Sequence, residues 1–152
     1  DPEYLAILLD AGDLLAQGLL GTKDFRCEVD TVWGVVQQEG DYSAMQSQRN
    51  RLSPAGFASL LDVQLPEQLS SENHERPTKG AYGFHDGIHN LIWKGDRTTD
   101  RNDCIQAGII QCELVTGFLY VFPQWLRHLT WPFDGPGERK WVAANVALLD
   151  VS

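Results

Sequence analysis

The sequence predicts a mostly β protein: an antiparallel sandwich or jelly roll with an N-terminal helix packed on one sheet. Three observations carry this. Apolar residues recur at helical spacing only near the start of the chain. After Gly21 the pattern changes to short runs rich in β-branched and aromatic residues, at roughly 8–12-residue spacing. No internal repeat and no long linker divides the chain. The expectation is therefore a single domain over 1–152, with a helical segment 1–21 and a β core over 25–149.

The helix is expected from about Pro2 to Leu20. Leu5, Leu8, Leu9, Leu15 and Leu19 form its stripe, Pro2 suits a first turn, and Gly21 suits a left-handed stop. Phe25 to Glu28 and Thr31 to Gln37 read as two short β runs, the second strongly so. Gly40-Asp41 marks a turn, and Met45 to Asn50 is polar. Phe57 to Leu65 is the next apolar run, and Pro66 ends it. Ser70 to Pro77 reads as an exposed loop, followed by strand candidates at Ala81 to Phe84 and Asn90 to Lys94. A charged loop, Gly95 to Asp103, leads into the mostly apolar Cys104 to Glu113. Phe118 to Phe122 and Lys140 to Leu149 are the last strands, with a turn-rich loop from Trp131 between them.

Composition narrows the function. Hydrophobic residues make up 43% and charged residues 22% of the 152 residues, ordinary for a soluble globular chain. A formal charge of −9 and a pI near 4.7 repel phosphate backbones and anionic lipid, so neither nucleic acid nor membrane is expected as a partner. No apolar stretch is long enough for a transmembrane helix. The acidic first residues have the wrong charge for a signal peptide, so a cytoplasmic or virion-associated location is expected. Cys27, Cys104 and Cys112 fit no zinc or redox spacing and read as free thiols.

The chemistry concentrates near the end. Period-2 alternation places Arg139, Trp141, Ala143 and Asn145 on one face of the last strand and Lys140, Val142, Ala144 and Val146 on the other. If the first set faces inward, Arg139 lies at a barrel mouth, near His128 on an adjoining strand. An arginine fork grips a carboxylate bidentately, and an imidazole holds a metal. Surface ion pairs of Arg139 with Asp134 or Glu138 are the plainer alternative. His85-Asp86-Gly87-Ile88-His89 is the other histidine-bearing segment. Its glycines favour a turn with solvent-facing histidines, and on a strand its two imidazoles would lie about 13 Å apart, too far for one ion.

Two blocks resemble a bacterial and phage group of 2-oxoglutarate/Fe(II) oxygenase-like proteins. The early block is Trp33-Gly-Val-Val-Gln-Gln-Glu-Gly40-Asp41-Tyr42, then Leu52-Ser53, then Phe57 to Pro66. The late block is Gly117, Phe118 to Val121, Phe122-Pro123-Gln124-Trp125-Leu126-Arg127-His128, Arg139 and Asn145. The likeness spans about Trp33 to Val146 and implies a double-stranded β-helix. It implies that His128 holds a metal-ligand position and that Arg139 holds the 2-oxoglutarate carboxylate position. Asn145 reads as a structural strand residue.

The sequence departs from that group where metal chemistry needs it most. The first two ligand positions fall on Gln46 and Gln48. A site of this class needs two imidazoles and a further ligand on one face of the iron. Losing even an outer partner weakens a metal site ~10–100-fold, and losing two direct ligands weakens it more. The expectation is an oxygenase-fold protein without catalytic activity and with no confident catalytic residue. It would carry no cofactor, and it would serve as a structural or binding component, of a phage virion or another assembly, with protein partners or self-association. An active Fe(II)/2-oxoglutarate hydroxylase with nonstandard ligands, drawing on His85, Asp86 or His89, is the second reading. A cupin-like or lectin-like binder of small anions through Arg139 is the third. Trp125 and Trp131 flank the expected mouth, either as ligand or partner contacts or as packing residues.

Overall fold

The computed structural model describes residues 1–21, 24–69, 87–94 and 107–151. The strand candidate Ala81 to Phe84, the segment with His74, His85 and Asp86, and Cys104 lie outside the described residues.

Helix α1 runs Pro2–Leu20. The Asp1 side chain caps it by accepting from the Glu3 N–H at 2.9 Å, which satisfies one orphan donor. Gly21 ends it at φ 67°, and its N–H returns to the Gln17 carbonyl. The predicted bounds and both end signals hold. Leu8 and Ala16 are fully buried against the β sheet beneath.

Eight strands follow: β1 Phe25–Gln37, β2 Ser43–Gln46, β3 Gly56–Gln64, β4 His89–Lys94, β5 Ala107–Gln111, β6 Leu119–Pro123, β7 Arg127–Thr130 and β8 Arg139–Asp150. They form two antiparallel sheets, ordered β1-β8-β3-β6 and β2-β7-β4-β5. This is the jelly roll that the strand spacing predicts. A short 3-10 turn, Glu67–Leu69, follows β3.

The two runs expected at Phe25 to Glu28 and Thr31 to Gln37 are one strand broken by a bulge between Val29 and Thr31. The extra residue, Asp30, reverses the side-chain parity. Before it, Phe25, Cys27 and Val29 pack toward α1. After it, Trp33 and Val35 pack on the core between the sheets. That core contains Ala58, Leu60, Leu91, Phe122, Leu126, Trp141 and Ala143. The alternation read on β8 is confirmed: Trp141 and Ala143 face between the sheets, while Ala144 and Val146 face α1.

The sequence reading gives no strand at Ser43–Gln46, which forms β2. It places His128 on a strand without giving bounds, and that strand is β7, Arg127–Thr130, which pairs with both β2 and β4. Among the described residues, no helix is long and apolar enough to cross a membrane.

Candidate functional site

Arg139 opens β8 and points between the sheets, fully buried. Its Nε donates to Asp62 Oδ1 at 2.8 Å and its Nη2 to Asp62 Oδ2 at 2.9 Å. Nη2 also meets His89 Nε2 at 2.6 Å, and Nη1 donates to the Gly87 carbonyl. Four of the five N–H donors of a guanidinium are thereby matched to the chain itself.

Asp62 comes from the inward face of β3, in phase with Ala58 and Leu60, just before a register shift. Its side chain is 2% exposed. Burial alone would raise its carboxyl pKa. The two hydrogen bonds from Arg139 and its charge more than offset that and hold it below the usual carboxylate range.

His89 opens β4 on the opposite sheet. Its Nδ1 lies 2.7 Å from Thr130 Oγ1 on the paired strand β7, and its ring meets the Trp141 indole edge-on at 5.2 Å. The 2.6 Å contact makes Nε2 the acceptor from Arg139, so the proton sits on Nδ1, toward Thr130. The longer 3.4 Å approach of Nε2 to Asp62 Oδ2 is then a neighbour contact without a shared proton. Burial, then the charge of Arg139, lowers the His89 pKa, so the ring is neutral.

Two sequence expectations are corrected here. The histidine beside Arg139 is His89 and not His128, and it lies on the facing sheet and not on an adjoining strand. His89 is also not in a solvent-facing turn: it is 0% exposed. Its local glycines and charges signal a turn, and only pairing with β7 buries it. Gly87 does turn, at φ 69°, and its carbonyl is the one that orients Arg139. Asp62 had a readable signal, since an acid at an inward position of an otherwise apolar strand demands a buried partner.

His128 occupies the inward face of β7, 1% exposed, with the Phe122 ring 5.5 Å away. Gln46 is its cross-strand partner on β2 and is exposed. The Gln48 side-chain nitrogen lies 3.2 Å from His128 Nε2. The three positions that the family likeness assigns to metal ligands therefore do come together. Burial lowers the His128 pKa to about 4, with the Leu126 backbone working the other way. Nδ1 has no hydrogen-bond partner among the described residues.

This donor set does not fit Fe(II) with 2-oxoglutarate. One wall offers a single imidazole, already against an amide, and two neutral glutamines, poor ligands for a hard dication. His89, the other described imidazole, has both nitrogens engaged. Among the described residues no three His, Cys, Asp or Glu side chains are grouped to hold a metal. Arg139 has its bidentate face on Asp62. Asn145 is buried in β8 between β1 and β3, as a strand residue. Trp125 is 61% exposed at the β6–β7 turn, whereas Trp131 is half-buried. Cys27 and Cys112 are free thiols, and burial pushes both up to about 12, which makes them inert.

Two facing antiparallel sheets, with a histidine and an arginine turned into the space between them, define a protein of the double-stranded β-helix class. No family model and no curated protein matches the sequence. Among solved structures, an oxidoreductase of the 2OG-Fe(II) oxygenase family from Burkholderia pseudomallei is similar over 89% of this chain and 49% of its own, with a TM-score of 0.54 and 10% identity. A Pseudomonas putida prolyl-4-hydroxylase is similar over 91% of this chain and 60% of its own, with a TM-score of 0.47 and 15% identity. The cysteine peptidase Peruvianin-I from Thevetia peruviana latex scores 0.40 at 13% identity, over 85% of this chain and 63% of its own. The first likeness establishes the fold as that of the 2-oxoglutarate/Fe(II) oxygenases. The chain spans about half the length of that oxygenase.

Proposed function

We propose that this chain is an oxygenase-fold protein that acts as a binding or structural component, in contact with protein partners or further copies of itself, and does not turn over 2-oxoglutarate. The observation that carries this reading is the state of Arg139. Its bidentate face is held by Asp62 at 2.8 and 2.9 Å with both side chains buried. A cosubstrate carboxylate would have to displace a tethered carboxylate that is already desolvated and hydrogen-bonded. The pairing of His128 with Gln48 supports the same reading from the opposite wall. Exposed Tyr42, Met45 and Trp125 supply apolar contact surface for a partner.

The test is succinate formation from 2-oxoglutarate under anaerobic Fe(II) loading followed by oxygen, beside calorimetry with 2-oxoglutarate. No Fe(II)-dependent succinate and no binding heat are expected. Turnover that disappears in His128→Ala would defeat the proposal.

A further inference from the structure

A buried arginine and aspartate in fork-to-fork geometry are two halves of a recognition event. Here the halves come from different strands, and the carboxylate half is the unusual one. The other inward positions of β3 in this core are Ala58 and Leu60, both buried and apolar. Asp62 continues that inward row and ends it at the register shift before Gln64. The arginine half is prepared independently of Asp62. Nη2 meets His89 Nε2, His89 is fixed through Nδ1 by Thr130, and Nη1 is fixed by the Gly87 carbonyl. Neither His89, which is neutral, nor Gly87 supplies a negative charge, so among the described residues the anion that balances the Arg139 guanidinium in this cluster is Asp62.

We propose that Arg139, held in place by His89, Thr130 and Gly87, is a site for a small carboxylate, and that Asp62 is its built-in ligand. The site is shut because the chain supplies the anion itself. A small free carboxylate of matching shape takes the place when Asp62 is shortened. The inference rests on the reading that Arg139 is withheld from external ligands.

Atom matching makes the proposal testable. Asp62→Ala removes a carboxylate and keeps Cβ, so the missing atoms are those of formate. Asp62→Gly removes Cβ as well, so the missing atoms are those of acetate. Urea unfolding midpoints are measured in formate, acetate and chloride at matched ionic strength and neutral pH. A ligand that binds only the folded state raises the midpoint in a saturable way.

The expected result is a swap of preference. Asp62→Ala gains more from formate than from acetate, and Asp62→Gly gains more from acetate than from formate. Wild type, Asp62→Asn (in which the amide fills the space) and the double variant Asp62→Ala/Arg139→Met respond to both salts as they do to chloride. Where a shortened variant does not fold in buffer, refolding from urea is the readout. Recovery in the matching carboxylate and not in chloride supports the site. The same gain in wild type or Asp62→Asn overturns the proposal, as does a gain without the swap, or no gain in either shortened variant. Succinate formation by the wild type would defeat the functional reading while leaving the swap intact, and a failed swap would leave that reading standing.

Discussion

Replacing Arg139 with methionine separates a structural arginine from a cosubstrate-binding one. Methionine roughly follows the aliphatic stem and lacks the guanidinium. In the folded protein the substitution leaves Asp62, 2% exposed, as an unpaired buried carboxylate. It also strips the Gly87 carbonyl and His89 Nε2 of their donor. Breaking a buried pair from one side costs about 3–5 kcal/mol, a large part of the 5–15 kcal/mol that holds an ordinary domain together. With a urea dependence of about 2 kcal/mol per molar, the midpoint falls by roughly 2 M. Adding Asp62→Leu removes the stranded charge, and apolar replacement of both partners is often neutral or better. The double variant should therefore recover most of the loss, with a coupling of about 2 kcal/mol or more in the cycle. Urea melts followed by tryptophan fluorescence read this directly, because Trp141 packs beside His89 at 5.2 Å. An arginine kept for an external carboxylate would behave differently. Arg139→Met would cost under about 1 kcal/mol in ligand-free protein, and the effects of the two single variants would add. That outcome would refute the reasoning.

Further outcomes follow from the same geometry. His128 has its folded pKa lowered from 6.5 to about 4, while the unfolded chain takes up the proton near 6.5, so stability falls as pH drops through that window. The loss from His128 alone is about 3 kcal/mol between neutral pH and pH 4, and His89, shifted in the same direction, adds to it. Urea midpoints across that range check this, and a flat profile in wild type, or one unchanged by His128→Phe, would contradict it. Gly87→Ala forces a side chain onto φ 69° and puts Cβ 2.8 Å from Leu69 Cδ1 in a buried cluster. It should cost about 1–3 kcal/mol, and a midpoint equal to wild type would show that the turn relaxes freely. Gln46→His with Gln48→Asp puts an imidazole and a carboxylate beside His128. Cobalt(II) should then give visible d–d absorption that is lost on adding His128→Ala. If the double variant shows no such bands, the three positions do not share one face.

The helix was legible because its signals are local: a leucine stripe, a proline in the first turn and a glycine at the left-handed stop. The break between Val29 and Thr31 was legible too, although its meaning was not. Two short runs and one bulged strand look the same in sequence, since only pairing with β8 shows the ladder continuing past Asp30. The bounds of the strand that carries His128 were not legible, because the four residues Arg127–Thr130 include an arginine and a histidine and have little β signal of their own. Their pairing with β2 and β4 makes them a strand. The placement of Gln46 and Gln48 around His128 could be read from the motif spacing. The partners of Arg139 could not, because Asp62 and His89 lie 77 and 50 residues away in the chain and belong to different sheets.

That separation explains what the network accomplishes. A buried ion pair rarely stabilises a fold more than leucine and methionine of the same volume would, so net stability is a weak reason for it. Connectivity is a stronger one. Asp62 belongs to β3 and Arg139 to β8, which are neighbours in one sheet, while His89 and Thr130 belong to β4 and β7 of the other. The chain of contacts from Asp62 through Arg139 and His89 to Thr130 therefore crosses from sheet to sheet. Apolar side chains packed there would tolerate small sliding of one sheet over the other. Hydrogen bonds of 2.6–2.9 Å with fixed directions do not. The crossing bond is the one between Arg139 and His89, and Asp62, from the strand beside Arg139 in its own sheet, holds the guanidinium in place to make it.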